Sequence, residues 1–174
     1  MKTRSPESLQ DLFDASCRVL DALHVPYDPR ATLSVNPRLF RAWARCLFFS
    51  RSAPRIEAAP VLTDVALSDN AVMETLIHEL LHTCPGCANH GASWQAYARL
   101  VTRETHYAVT VSSSQEDHGL PSTYIRPGSR YALICNACGA TWCYNRKCNS
   151  VVCPERYRCS RCGGSLCART VTTA

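Results

Sequence analysis

Along the first stretch, apolar side chains recur at Leu9, Leu12, Phe13, Val19, Leu20 and Leu23. This i, i+3, i+4, i+7 spacing predicts a helix with one buried face. Ser5 followed by Pro6 supplies an N-cap and a first helical residue, and Pro26 and Pro29 stop it. Residues 31–36 alternate as a short strand does, and 45–50 and 55–58 read as two more. Their short connections predict a small, mostly antiparallel sheet. Helical patterning returns over about 69–83, with Ser68 or Asp69 as cap and Pro85-Gly86 as terminator, and again over 92–105. Serine, glycine and proline then crowd residues 113–128, which read as a linker. The fold class is α+β. A main domain over 1–112 is followed by a small cysteine-rich domain over 129–168 and a tail over 169–174.

Composition narrows this picture. The chain has 174 residues, enough for one domain and a small appendage, and it holds 12 cysteines beside 6 histidines. No run approaches about 20 apolar residues, so no transmembrane helix is expected. The start, Met1 to Glu7, lacks the apolar core of a secretory signal, so a cytoplasmic protein is expected. In a reducing compartment, paired cysteines read as metal ligands before disulfides. Charge is unevenly spread. Residues 126–174 carry eight basic side chains against Glu155, while residues 1–125 carry 11 basic and 13 acidic ones. A basic tail on a slightly acidic body suggests a polyanion-facing module.

The chemistry concentrates in His78-Glu79-Leu80-Leu81-His82. On a helix, positions i and i+4 lie on one face, so His78 and His82 can present two imidazoles to one Zn²⁺. Glu79 lies about 100° around the helix, where its carboxylate can reach an activated water without ligating. Met73, Leu76, Ile77, Leu80 and Leu81 cover an arc away from the histidines, giving a core face and a polar edge. A catalytic site needs a third ligand and an open position. His90, just before Gly91, could swing back through the Cys84-Pro85-Gly86-Cys87 turn; His106, His118, Glu104 and the Cys84/Cys87 pair are the other candidates. His106 and His118 otherwise read as surface histidines, and Cys84 and Cys87 as small thiols shaping the turn.

In the tail, Cys135-x-x-Cys138 and Cys159-x-x-Cys162 are separated by 20 residues. Two such knuckles, each at a hairpin tip, predict a tetrahedral four-thiolate zinc site that stabilises a segment too small to fold alone. Tyr131, Ile134, Trp142, Tyr144 and Tyr157 interleave with arginines, an arrangement suited to phosphates and stacked bases, with Arg156, Arg158 and Arg161 as candidate nucleic-acid contacts. Cys143, Cys148, Cys153, Cys167, Cys17 and Cys46 remain without assigned roles.

Taken together, the His78–His82 helix motif, Asn89-His90-Gly91-x-x-Trp94, the Asn36-Pro37-Arg38 turn, the Ile56–Leu62 segment and the four-cysteine ribbon resemble the SprT-like, Spartan-related metallopeptidase family. The resemblance covers about residues 8–166. It implies a zincin-like domain and a zinc peptidase with one catalytic and one structural Zn²⁺. His78, His82 and His90 would be the catalytic-site ligands and Glu79 the acid/base. The implied partners are a protein or peptide substrate and DNA, some relatives cleaving proteins crosslinked to DNA; a monomer without membrane contact is expected. With DNA as partner, the location would be nucleoid-associated in a prokaryote and nuclear in a eukaryote. Two features depart from the family: the His82–His90 connection is short, and Glu57-Ala58-Ala59 is bland for a strand. The rival reading is a non-catalytic, zinc-containing nucleic-acid adaptor.

Overall fold

The computed structural model describes residues 3–40, 42–113 and 115–171. They form an α+β protein with two small sheets and three main helices. Two compact units divide between Gly119 and Leu120, inside the stretch 113–128.

In the first unit, α1 (Pro6–Ala22) begins where Ser5 Oγ accepts the Ser8 N–H at 3.1 Å. It buries Leu9, Phe13, Ser16 and Leu20, one side of the predicted helical pattern. Three four-residue strands follow: β1 (Thr32–Val35), β2 (Ala44–Leu47) and β3 (Arg55–Ala58). The expected, mostly antiparallel sheet is instead mixed. Its order is β1-β3-β2, with β1 parallel and β2 antiparallel to β3. The last strand enters the middle because Ile56 and Ala58 are its fully buried positions, and a central strand buries more than an edge. β2 ends at Leu47, short of the expected residue 50, and Phe48 and Phe49 lie exposed beyond it.

α2 (Asp69–Leu81) is capped by Ser68, whose Oγ accepts the Ala71 N–H at 3.2 Å. It forms the centre of the unit. Between Ala71 and Leu81 every residue is buried except Glu74 and His78. Those two and His82 share the i, i+4, i+8 row, so the polar edge is one residue wide and the apolar surface wraps nearly all round. α1, β2, β3 and α3 (Ala92–Glu104) pack around it.

The second unit has an antiparallel sheet in the order β5-β4-β6, formed by β4 (Tyr131–Cys135), β5 (Thr141–Tyr144) and β6 (Leu166–Thr170). A one-turn helix, α4 (Asn149–Val152), lies between β5 and β6. Its buried cluster is Leu133, Cys135, Ala140, Cys159 and Leu166, with Trp142 and Tyr144 packed on it. So few apolar groups cannot hold such a unit without a crosslink or a metal. No described helix of the chain is long and apolar enough to cross a membrane.

Candidate metal centres

Among the described residues, two sets of side chains converge as metal ligands do: His78, His82 and His90, and Cys135, Cys138, Cys159 and Cys162. In each set the ligand atoms lie within 4.8 Å of one another.

The helix supplies the first two imidazoles, and a tight turn supplies the third. Cys84-Pro85-Gly86-Cys87 closes with the Cys87 N–H on the Cys84 carbonyl at 3.1 Å. Gly86 sits at φ +74, the left-handed conformation that position requires. The reversal brings His90 Nε2 to 2.9 Å from His78 Nε2. Gln95 in α3 ties the approach down by donating from Nε2 to the His90 carbonyl at 2.9 Å. Gly91, which follows, has an ordinary φ of −69. It is needed for space: a Cβ there would lie 2.8 Å from Asn89 Oδ1, which accepts the Gly91 N–H.

Backbone carbonyls orient the rings. His78 Nδ1 donates to Thr110 O at 2.8 Å, and His82 Nδ1 donates to Cys87 O at 2.9 Å. A carbonyl only accepts, so in both rings the proton sits on Nδ1 and the Nε2 lone pair faces the centre. The Thr110 carbonyl is itself placed, because the neighbouring Ala108 N–H donates to Glu74 Oε1 at 2.9 Å. Trp94, 1% exposed, stands with its ring centroid 4.6–5.7 Å from all three imidazoles and walls the site.

The electrostatics suit a cation. Burial pushes His78 down to about 4, so it is neutral near pH 7, as a ligand must be; His90 is lowered by the same cause. Glu79 is 8% exposed, and burial pushes its carboxyl up to about 7 against an opposing hydrogen bond from the Cys46 backbone in β2. A dication beside it would favour the carboxylate. Three imidazoles, with no fourth ligand side chain among the described residues, match Zn²⁺ with an open position. His78 and Glu79 border a cleft of about 230 Å³ whose lining also includes Trp43, Ser113 and His118.

The other candidate third ligands do not join the triad. His106 packs on Tyr107, and Cys84 and Cys87 are buried, with burial pushing Cys84 up to about 12. His118 corrects an expectation: it is 7% exposed and lines the cleft rather than the surface. The Thr110 and Cys87 carbonyls escaped the sequence altogether, since any residue carries one.

In the second unit both knuckles sit at hairpin tips. Cys135 Sγ and Cys162 Sγ are 3.5 Å apart, and Cys138 Sγ and Cys159 Sγ 3.6 Å. A tetrahedral Zn–thiolate site requires about 3.8 Å between sulfurs. The N–H groups of Cys138 and Ala137 aim at Cys135 Sγ and help pull that thiol down to about 6. Four thiolates at this spacing fit Zn²⁺ or a single iron. Cys143, Cys148, Cys153 and Cys167 form no third set among the described residues. Arg156, Arg158 and Arg161 are all exposed, and the Arg158 guanidinium donates to the Glu155 and Tyr157 carbonyls.

The chain matches no protein-family model, and no curated protein is similar to it.

Proposed function

We propose that the chain is a zinc-dependent peptidase of SprT-like type with a zincin-like first unit and a structural zinc ribbon. One observation carries this reading: three imidazoles converge beside a buried glutamate at an open cleft. A purely structural site closes its fourth position with a protein ligand, and none is present among the described residues.

When bound, the dication would acidify a water and polarise a peptide carbonyl. The chain's residues do the rest. His78, His82 and His90 hold the ion as neutral imidazoles. The Glu79 carboxylate takes the proton of the attacking water as its oxygen bonds to the carbonyl carbon. It then delivers that proton to the leaving amine nitrogen as the C–N bond breaks. Trp94 and the packed faces of α2 keep the ligand set dry and aligned.

For substrates, we favour proteins held on DNA, supported by the excess of seven positive charges over residues 126–174 and the exposure of Arg156, Arg158 and Arg161.

The test compares wild type with Glu79→Gln on reduced, unfolded casein and on a DNA-crosslinked protein. Glu79→Gln should retain two Zn²⁺ per chain and lose cleavage. Equal cleavage by both proteins, with zinc retained, rejects the peptidase. Replacing Arg156, Arg158 and Arg161 should weaken DNA binding and flatten its salt dependence; unchanged binding rejects the tail as the contact.

A further inference from the structure

We infer that Ser113, held by His118, donates a hydrogen bond to the peptide carbonyl oxygen as that oxygen gains negative charge. The inference rests on the peptidase reading and fills a role for which that reading names no side chain. Attack on a carbonyl loads charge onto its oxygen, and a donor already aimed there avoids reorganisation during reaction.

The cleft offers few donors. The side chains of its alanines and Val111 carry none, and the Thr110 hydroxyl donates to Ser112 O at 2.9 Å. The Thr75 hydroxyl donates to Ala71 O at 2.9 Å, and Glu74 already accepts the Ala108 N–H. The imidazole N–H of His78 is spent on Thr110 O. Glu79 must accept a proton at the moment the oxygen becomes charged, so it cannot also donate.

Of the other side-chain donors on the lining, Trp43, Ser112, Ser113 and His118, the last two form a joined pair. Ser113 Oγ lies 2.6 Å from His118 Nε2. Ser113 is half-buried in the cleft wall, and His118, also on the lining, is buried with its ring edge-on to Trp43, centroids 4.5 Å apart at 67°. The His118 imidazole, 7% exposed, is placed to fix the hydroxyl of the more exposed Ser113. With His118 Nε2–H donating to Ser113 Oγ, the serine hydrogen is left for the carbonyl, and its donor strength rises with the polarisation of the pair. The proton stays on the serine throughout. Ser113 is thus the catalytic residue and His118 a positioning residue. Both belong to the segment that follows Thr110, whose carbonyl holds His78, so the donor is carried by the same chain stretch that orients one imidazole.

The test uses full-length, zinc-loaded protein with Ser113→Ala, Ser113→Thr, His118→Ala, His118→Asn and Ser113→Ala/His118→Ala. The readouts are casein cleavage, zinc content and affinity for a phosphinic peptide, whose tetrahedral P–O⁻ mimics the charged oxygen. Ser113→Ala should lower kcat about 100-fold, as loss of one such donor does, with KM nearly unchanged and two Zn²⁺ retained. Phosphinic-peptide affinity should fall in step, and Ser113→Thr should recover most of both. His118→Ala should lose less, and nothing further in the Ser113→Ala background. If His118→Ala fails to fold, His118→Asn serves in its place.

Wild-type kcat and phosphinic affinity in Ser113→Ala, beside an active wild type, overturn the inference alone. So does labelling of Ser113 by a fluorophosphonate, which would make His118 a base and the serine a nucleophile. A wild type that holds two Zn²⁺ yet neither cleaves casein nor binds the phosphinic peptide overturns the peptidase reading, and this inference with it.

Discussion

Two adjacent glycines in the second knuckle separate steric from conformational demands on the four-cysteine cluster. A Cβ at Gly164 would lie 2.8 Å from the Ala137 Cβ, 3.0 Å from Cys135 Sγ and 3.3 Å from Cys162 Sγ. Ordinary carbon contacts sit at about 3.5–4.0 Å, so Ala137 must retreat by roughly 0.7 Å or more. It is poorly placed to do so. The Ala137 and Cys138 N–H groups point at Cys135 Sγ at 3.4 and 3.5 Å, and the Gly139 N–H closes the turn on Cys135 O at 3.0 Å. Overpacking of this kind costs about 1–3 kcal/mol. If the four thiols hold a metal as proposed, folding of so small a unit is coupled to it, and that cost appears as a loss of metal affinity of about 5- to 150-fold. Gly163 is the control. It sits at φ +73, and a Cβ there would meet nothing within 4 Å, so Gly163→Ala brings backbone strain of about 1–2 kcal/mol and no clash at the thiols. The assay is Co²⁺ titration against a competing chelator, read by thiolate-to-metal charge-transfer absorption. Both variants should bind more weakly, but only Gly164→Ala should also shift the Co²⁺ bands, because it alone displaces ligand sulfurs. Wild-type affinity and spectrum in Gly164→Ala would refute the reasoning, as would a larger band shift in Gly163→Ala.

His90→Ala should reduce zinc from two equivalents to one under mild chelation, measured by metal analysis; two retained equivalents would show that His90 is dispensable to the site. Leu76 is fully buried at the centre of the first unit, so Leu76→Ala should cost about 2–5 kcal/mol in denaturant unfolding. A loss below about 1 kcal/mol would mean that α2 is not the core helix. Thiol alkylation followed by mass spectrometry should label Cys148 well before Cys46 or Cys84 near pH 7, because hydrogen bonds led by the Ser150 hydroxyl lower its pKa. Cys46 and Cys84, each pushed up to about 12 by burial, should stay nearly unlabelled at pH 8 and gain about tenfold in rate per pH unit up to 10. Labelling of Cys84 at the rate of Cys148 would contradict its burial.

Much of the site was legible because its signals are local. An i, i+4 histidine pair on an apolar-patterned stretch needs only helix geometry to define two ligands, and the two knuckles need only tight turns. Ser5 and Ser68 could be identified as caps for the same reason: the bond spans three residues. The sheet was not legible in the same way, because strand order is set by which strand offers the deepest apolar side chains to the middle. That depends on packing against α2 rather than on any pattern within β1, β2 or β3.

The residue-level chemistry of this protein was therefore written in its sequence: two imidazoles on one helix face, a glutamate beside them and four thiols in two turns. Folding decided which further groups joined them. It selected His90 over His106 and His118 by the turn at Gly86, and it placed the Thr110 and Cys87 carbonyls on the ligand rings. It also set Ser113 and buried His118 in the same cleft as Glu79. Carbonyls carry no side-chain signature, and a serine–histidine pair five residues apart in an irregular segment has no periodicity to declare it. Their roles arise only from distances that the whole packed unit imposes.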